Sequence, residues 1–216
     1  MKGARRIRLR PAAGTVLPDP LAGSLVHDPR RSERSAAVLG IALGVAFTAC
    51  FATGIWSHLQ QHPPGWFQAF PRPAGLYRIT QGVHVATGIA AMPLLLAKLW
   101  TVYPKLFAWP PFSSLAAAIE RTLVFVLVTT SVFQLVSGIE NTFLWYPYGF
   151  YFPAAHYAVS WVIIGALIIH IAAKSAITAR SLRRGRPAPS VGEHDRRSFL
   201  RFAFGAAGAL TLVTVG

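Results

Sequence analysis

The chain has 216 residues, 53% of them hydrophobic and only 13% charged, with a formal net charge of +14. Several apolar runs of about 18 residues or more exclude an ordinary water-soluble domain and fit one membrane bundle. The basic residues flank those runs rather than forming a patch, so topology accounts for them and no nucleic-acid partner is expected. Cys50 is the single cysteine, which excludes an intrachain disulfide, a cysteine-held iron–sulfur cluster and a thiolate zinc site; a metal would be held mainly by histidine.

Residues 1–35 are rich in Arg, Pro and Gly and have no hydrophobic period, which predicts a disordered basic tail without the h-region of a cleavable signal peptide. Five apolar runs follow, at 36–56, 79–103, 119–139, 154–177 and 199–216. They predict an all-α transmembrane helical bundle: a four-helix membrane domain over 36–178, a basic linker over 179–198 and a fifth C-terminal span. In the first run Gly40 and Gly44 form a small-xxx-small pair that lets another helix approach closely. Prolines at 63, 64, 71 and 73 make the first connection irregular.

Lys98, Lys105 and Arg121, in or beside the connection of the second and third runs, and the basic residues from Lys174 to Arg201, at and beyond the end of the fourth, join the basic tail on one side. The other side carries only Arg72 and Arg78. The positive-inside rule then predicts a multi-pass protein of the cell membrane with its N terminus in the cytoplasm. The aromatic stretch from Phe143 to Pro153 falls at the outer face, where it suits an interfacial belt; a quinone or partner surface is the alternative. Glu140, at the outer end of the third run, reads as a solvated helix-end carboxylate, with a quinol proton relay as the other reading.

Seven histidines are present. His27 and His194 lie in basic cytoplasmic segments, and His58 and His62 at the outer end of the first run. His84, His156 and His170 lie inside the spans, where an ionisable side chain is by default functional. His156 and His170 are 14 residues apart, which on a helix means about 21 Å of rise and a return to within about 40° of the same azimuth. Haem b in a helical bundle takes two neutral imidazoles from facing helices. His84 and His156 start their spans at similar outer depth and can clasp one haem, with Gly82 and Gly88 leaving room for the macrocycle and Arg78 placed to neutralise a propionate. His58, slightly shallower, competes for the same iron. No histidine on the first three spans matches the depth of His170; its partner is His27, Lys98 or none, and the alternative is a bond to a carbonyl or a quinone headgroup.

Four spans, a histidine near the start of the second and a 14-residue pair on the fourth resemble, over residues 36–177, the bacterial cytochrome b561 and nickel–iron hydrogenase cytochrome b group, which includes formate dehydrogenase gamma subunits. The resemblance implies two haems and electron transfer between the quinone pool and a redox enzyme on the outer face. It assigns His84 and His156 to the outer haem and His170 to the inner one. The stretch from Ser35 to Gly40 lacks the fourth ligand, which leaves one haem expected and the second open.

Asp195-Arg196-Arg197-Ser198-Phe199-Leu200-Arg201 resembles a twin-arginine export signal, with Asp in place of Ser or Thr and Arg in place of Lys. Such a signal implies the twin-arginine export machinery as a partner and a folded, cofactor-loaded domain on the outer side. Together with Leu76-Tyr-Arg-Ile-Thr-Gln-Gly-Val-His84, the following Ala-Thr-Gly88 and Ala154-Ala-His-Tyr157, the chain resembles proteins in which a cytochrome b-like membrane domain is joined to a molybdopterin-dependent oxidoreductase domain. Gly216 falls where that domain would begin. The expected function is electron transfer between quinone and a molybdopterin oxidoreductase; the alternative is a haem-free anchor and export module. No substrate-converting site is expected in the chain itself, and no internal repeat points to a transporter.

Overall fold

The computed structural model describes residues 28–68, 72–107, 114–183 and 191–215. A 3₁₀ turn, Pro29–Arg31, precedes five helices: α1 (Glu33–Gln61), α2 (Leu76–Leu106), α3 (Leu115–Thr142), α4 (Phe152–Arg183) and α5 (Val191–Val215). The fold is all-α, with no strand among the described residues, and all five helices are long and apolar enough to cross a membrane. Each of the first four overruns its apolar run. Their 28 to 32 residues correspond to about 42–48 Å of helix, whereas hydropathy marks only the hydrocarbon core of about 30 Å.

The expected tail boundary at Ser35 moves accordingly. Ser32 caps α1, its hydroxyl accepting from the Ser35 amide at 3.2 Å, and Glu33 sits in the first turn, where a carboxylate favours the helix dipole. Residues 33–35, placed in the tail by composition, are thus helical, and Ser35 is fully buried; residues 1–27 lie outside the described residues. The expected linker also shortens. α4 continues to Arg183 and α5 begins at Val191, which puts the twin-arginine-like segment inside a helix.

α1 packs against α2 and α4, α3 pairs chiefly with α4, and α5 lies along α2. Two ends of the bundle can be named from their contacts. At the histidine end Gln61 of α1 donates to the Tyr77 hydroxyl of α2. At the basic end the Lys98 ammonium of α2 donates to the Ala36 carbonyl of α1, and Lys174 of α4 pairs with Glu120 of α3. The core runs through Leu39, Leu43 and Phe47 of α1, Ala91, Leu94 and Leu95 of α2, Ile163 and Leu167 of α4, and Ala203 and Ala207 of α5. Large side chains such as Val45, Leu96, Phe125, Ile168 and Leu212 point outward, 62–73% exposed. Such a surface is unsuited to water and suited to lipid, where packing of small residues rather than exclusion of apolar groups holds helices together.

Buried hydroxyls obey the same constraint. Ser131, Ser137 and Thr101 each donate to the carbonyl four residues back, at 2.6–2.7 Å, because a polar hydrogen inside the hydrocarbon region has no water to bond. The Gly40 and Gly44 pair admits side chains: a Cβ at Gly40 would stand 3.3 Å from Lys98 Nζ, and one at Gly44 would stand 3.9 Å from Ile171 Cδ1. Leu39, with no exposed surface at the centre of this core, is the position where truncation is felt most. Leu39→Ala is expected to destabilise the bundle by about 2 kcal/mol or more in reversible unfolding from detergent micelles, whereas outward-facing Leu96→Ala is expected to change little.

Candidate cofactor site

Between α1, α2, α3 and α4, toward the histidine end, lies a cavity of 540 Å³, within the range of cofactor pockets of about 300–1,000 Å³. His84, two turns into α2, and His156, one turn into α4, both line it. Their ring centroids are 6.2 Å apart, with the planes at 63°. Two imidazoles on opposite faces of one metal ion, with nitrogen–metal bonds of about 2 Å and ring centres roughly 1 Å beyond each nitrogen, also stand roughly 6 Å apart.

Each ring is held by one nitrogen. His84 Nδ1 is 2.9 Å from the Cys50 carbonyl and 3.2 Å from the Thr53 hydroxyl. A carbonyl only accepts, so Nδ1 of His84 carries the proton and Nε2 has the free lone pair. His156 Nδ1 is 3.3 Å from the Ser137 hydroxyl, and Gln134 Nε2 donates to the His156 carbonyl at 3.0 Å. Neither Nε2 has a hydrogen-bond partner among the described residues. This is the outer-shell arrangement that orients metal-bound histidines.

Two glycines make room for the rings. A Cβ at Gly54 of α1 would come within 3.2 Å of His84 Cε1, and one at Gly138 of α3 within 3.8 Å of His156 Cε1. The glycines expected from sequence behave differently. Gly88 lines the cavity but faces Cys50 Sγ at 3.9 Å, and Gly82 faces open space, so Gly82 shapes no wall. Sequence reasoning missed Gly54, Gly138, Cys50, Thr53 and Ser137. The available signal was that they share the depth of the two histidines on the neighbouring spans.

The other expected residues separate. His58 lines the cavity with His84 and His156, but its ring stacks on Tyr157 at 3.8 Å and on His62 at 4.9 Å. Arg78 is exposed in the first turn of α2 and is not part of the wall; neutral Gln61 and Asn141 stand among the lining side chains instead. His170 lies outside the cavity, half-buried near the basic end, with Lys98, Lys174 and Glu120 as the charged groups around it. Of its two expected partners, Lys98 turns its ammonium to the Ala36 carbonyl, and His27 lies outside the described residues. Glu140 is half-buried near the end of α3, and its Oε2 is buried with no hydrogen-bond partner among the described residues.

The donor set discriminates between metal centres. Among the described residues no group of three or more His, Cys, Asp or Glu side chains comes together, so a bare zinc-type ion would lack its usual four protein donors. Two opposed imidazoles suffice where a macrocycle supplies the remaining nitrogens, as in haem. The cavity, the spacing and the free Nε2 atoms fit that group.

At the other end, Phe199 of the twin-arginine-like segment packs on Trp100 of α2, centroids 5.1 Å apart, and the Arg31 guanidinium lies 4.3 Å from the same Trp100 ring. Phe199 and Leu200 pack against the core. The segment is therefore part of the bundle as well as a motif. No family model matches this chain, and neither the curated proteins nor the solved structures gave a match.

Proposed function

We propose that this chain is a membrane b-type cytochrome in which His84 and His156 hold one haem b, passing single electrons between the quinone pool and a molybdopterin oxidoreductase on the outer face. The observation that carries the haem reading is the pair of imidazoles: 6.2 Å apart, each tethered through Nδ1, in the wall of a 540 Å³ cavity. Bound there, haem b would supply reversible one-electron chemistry. The chain supplies two neutral nitrogen donors, prealigned by Cys50, Thr53 and Ser137, and an apolar wall that includes Phe47, Ile163 and Leu167. Gly54 and Gly138 keep the rings from being crowded out.

The quinone, the molybdopterin partner and a twin-arginine route for that partner rest on the sequence resemblance; the assignment of the histidine end to the outer face rests on the distribution of the basic residues. His170 stands apart from the cavity, which supports a count of one haem in this reading. The chain purified from a haem-replete host is expected to give a b-type alpha band in its reduced-minus-oxidised spectrum and one haem per chain by the pyridine haemochrome assay. A preparation without that band overturns the cytochrome reading and leaves the haem-free anchor and export module. Two haems per chain would overturn the single-site count and require a ligand pair built on His170.

A further inference from the structure

We infer that Ser137 is a positioning residue for His156, and that the two proposed haem ligands are tethered unequally, so that the chain tunes the iron from the His156 side. This rests on the haem reading above.

The argument is a count of protons. The Ser137 hydroxyl has one hydrogen, and it points to the Phe133 carbonyl at 2.6 Å, a far better bond than the 3.4 Å approach to the Gln134 carbonyl. With that hydrogen committed, the oxygen facing His156 Nδ1 at 3.3 Å can only accept. Nδ1 must then carry the proton, and the Nε2 lone pair is left for a metal. Ser137 is 2% exposed, so water does not take its place.

His84 is tied differently. Its Nδ1–H meets a main-chain carbonyl, that of Cys50, which no side-chain replacement removes. The Thr53 hydroxyl, whose own hydrogen goes to the Ala49 carbonyl at 2.6 Å, is a second acceptor. Among the described residues His156 Nδ1 has one acceptor, and it is a side chain. Loss of Ser137 would leave a buried N–H without a partner, free the ring to turn or change tautomer, and make the imidazole a poorer electron donor. A less basic ligand favours the ferrous over the ferric ion, so the potential rises.

The test uses the full chain, haem-loaded in detergent or nanodiscs, with helicity checked by circular dichroism. Ser131 is the internal control: it sits on the same helix, is equally buried, and makes the same bond to the carbonyl four residues back. Ser137→Ala is expected to weaken haem retention against a competing apoprotein by about 10- to 100-fold and to raise the midpoint potential. Ser137→Thr, which keeps the hydroxyl, is expected to stay near the parent in both. Ser137→Cys, close in shape but a weak acceptor, is expected to move the potential in the same direction as Ala and serves where Ala does not fold. Ser131→Ala is expected to leave the potential unmoved. Equal potentials and equal retention in the Ser137 and Ser131 variants, with haem bound in the parent, overturn the inference. Absence of haem in the parent overturns the underlying reading instead.

Discussion

Replacing His84 with Ala is expected to abolish the b-type alpha band of the purified protein, and His156→Ala to do the same. An altered outer-shell partner costs about 10–100-fold in metal affinity, so removal of a ligand itself is expected to cost more, reducing haem per chain to the detection limit. Two comparisons give the result its meaning. His58→Ala is expected to retain haem, because the His58 ring is engaged in its stack with Tyr157 and His62. His170→Ala is expected to retain it as well, because His170 is outside the cavity wall. Loss of haem in His58→Ala with retention in His84→Ala would move the pairing to His58 and His156.

Filling the space beside the rings is expected to have nearly as large an effect without touching a donor atom. A Cβ at Gly54 would meet His84 Cε1 at 3.2 Å, and the branched end of Gly54→Leu would enter the cavity that Gly54 lines. The helices would still form, since Leu is the better helix former, but the ring would be displaced and the cofactor space reduced. Overpacking of this kind costs about 1–3 kcal/mol even where it is accommodated. Haem content is expected to collapse in Gly54→Leu, with helicity by circular dichroism kept. Gly54→Ala is expected to reduce haem content only partly, because the ring must give by a few tenths of an ångström. Gly82→Leu is the comparison: a side chain there meets open space, and haem content is expected to be unchanged. Full haem in Gly54→Leu would mean that the cavity beside His84 is not where the cofactor sits.

The ligand pair and the space beside it differ in how far composition reveals them. The five spans were legible because a run of about 20 apolar residues has few other stable fates. Their ends were not, since Ser32 capping α1 and Arg183 closing α4 lie where hydropathy has already fallen. The depth of His84 and His156 followed from their offsets along two helices that both start at the histidine end. The expected azimuthal match of His156 and His170 was compatible with a shared face, yet only His156 meets the cavity; His170 sits among Lys98, Lys174 and Glu120.

Which small residues serve the site was hidden for a physical reason. Gly82 and Gly88 neighbour His84 in sequence, but the contacts that matter cross between helices: Gly54 of α1 against His84, and Gly138 of α3 against His156. Cys50 contributes a main-chain carbonyl, a group every residue has. The twin-arginine-like segment was legible as a motif, whereas the docking of Phe199 on Trp100 depends on how α5 lies along α2.

The sequence by itself determined the all-α membrane class, the number of candidate spans and the positions of His84 and His156 along their helices, because hydrophobic length and helical rise are local, additive properties of the chain. Only the tertiary structure decided that those two histidines face each other across a cavity, that a serine and a backbone carbonyl hold them through Nδ1, and that two glycines on other helices leave them room. Rotation and approach of packed helices are set by side chains far apart in sequence, and no single span encodes them.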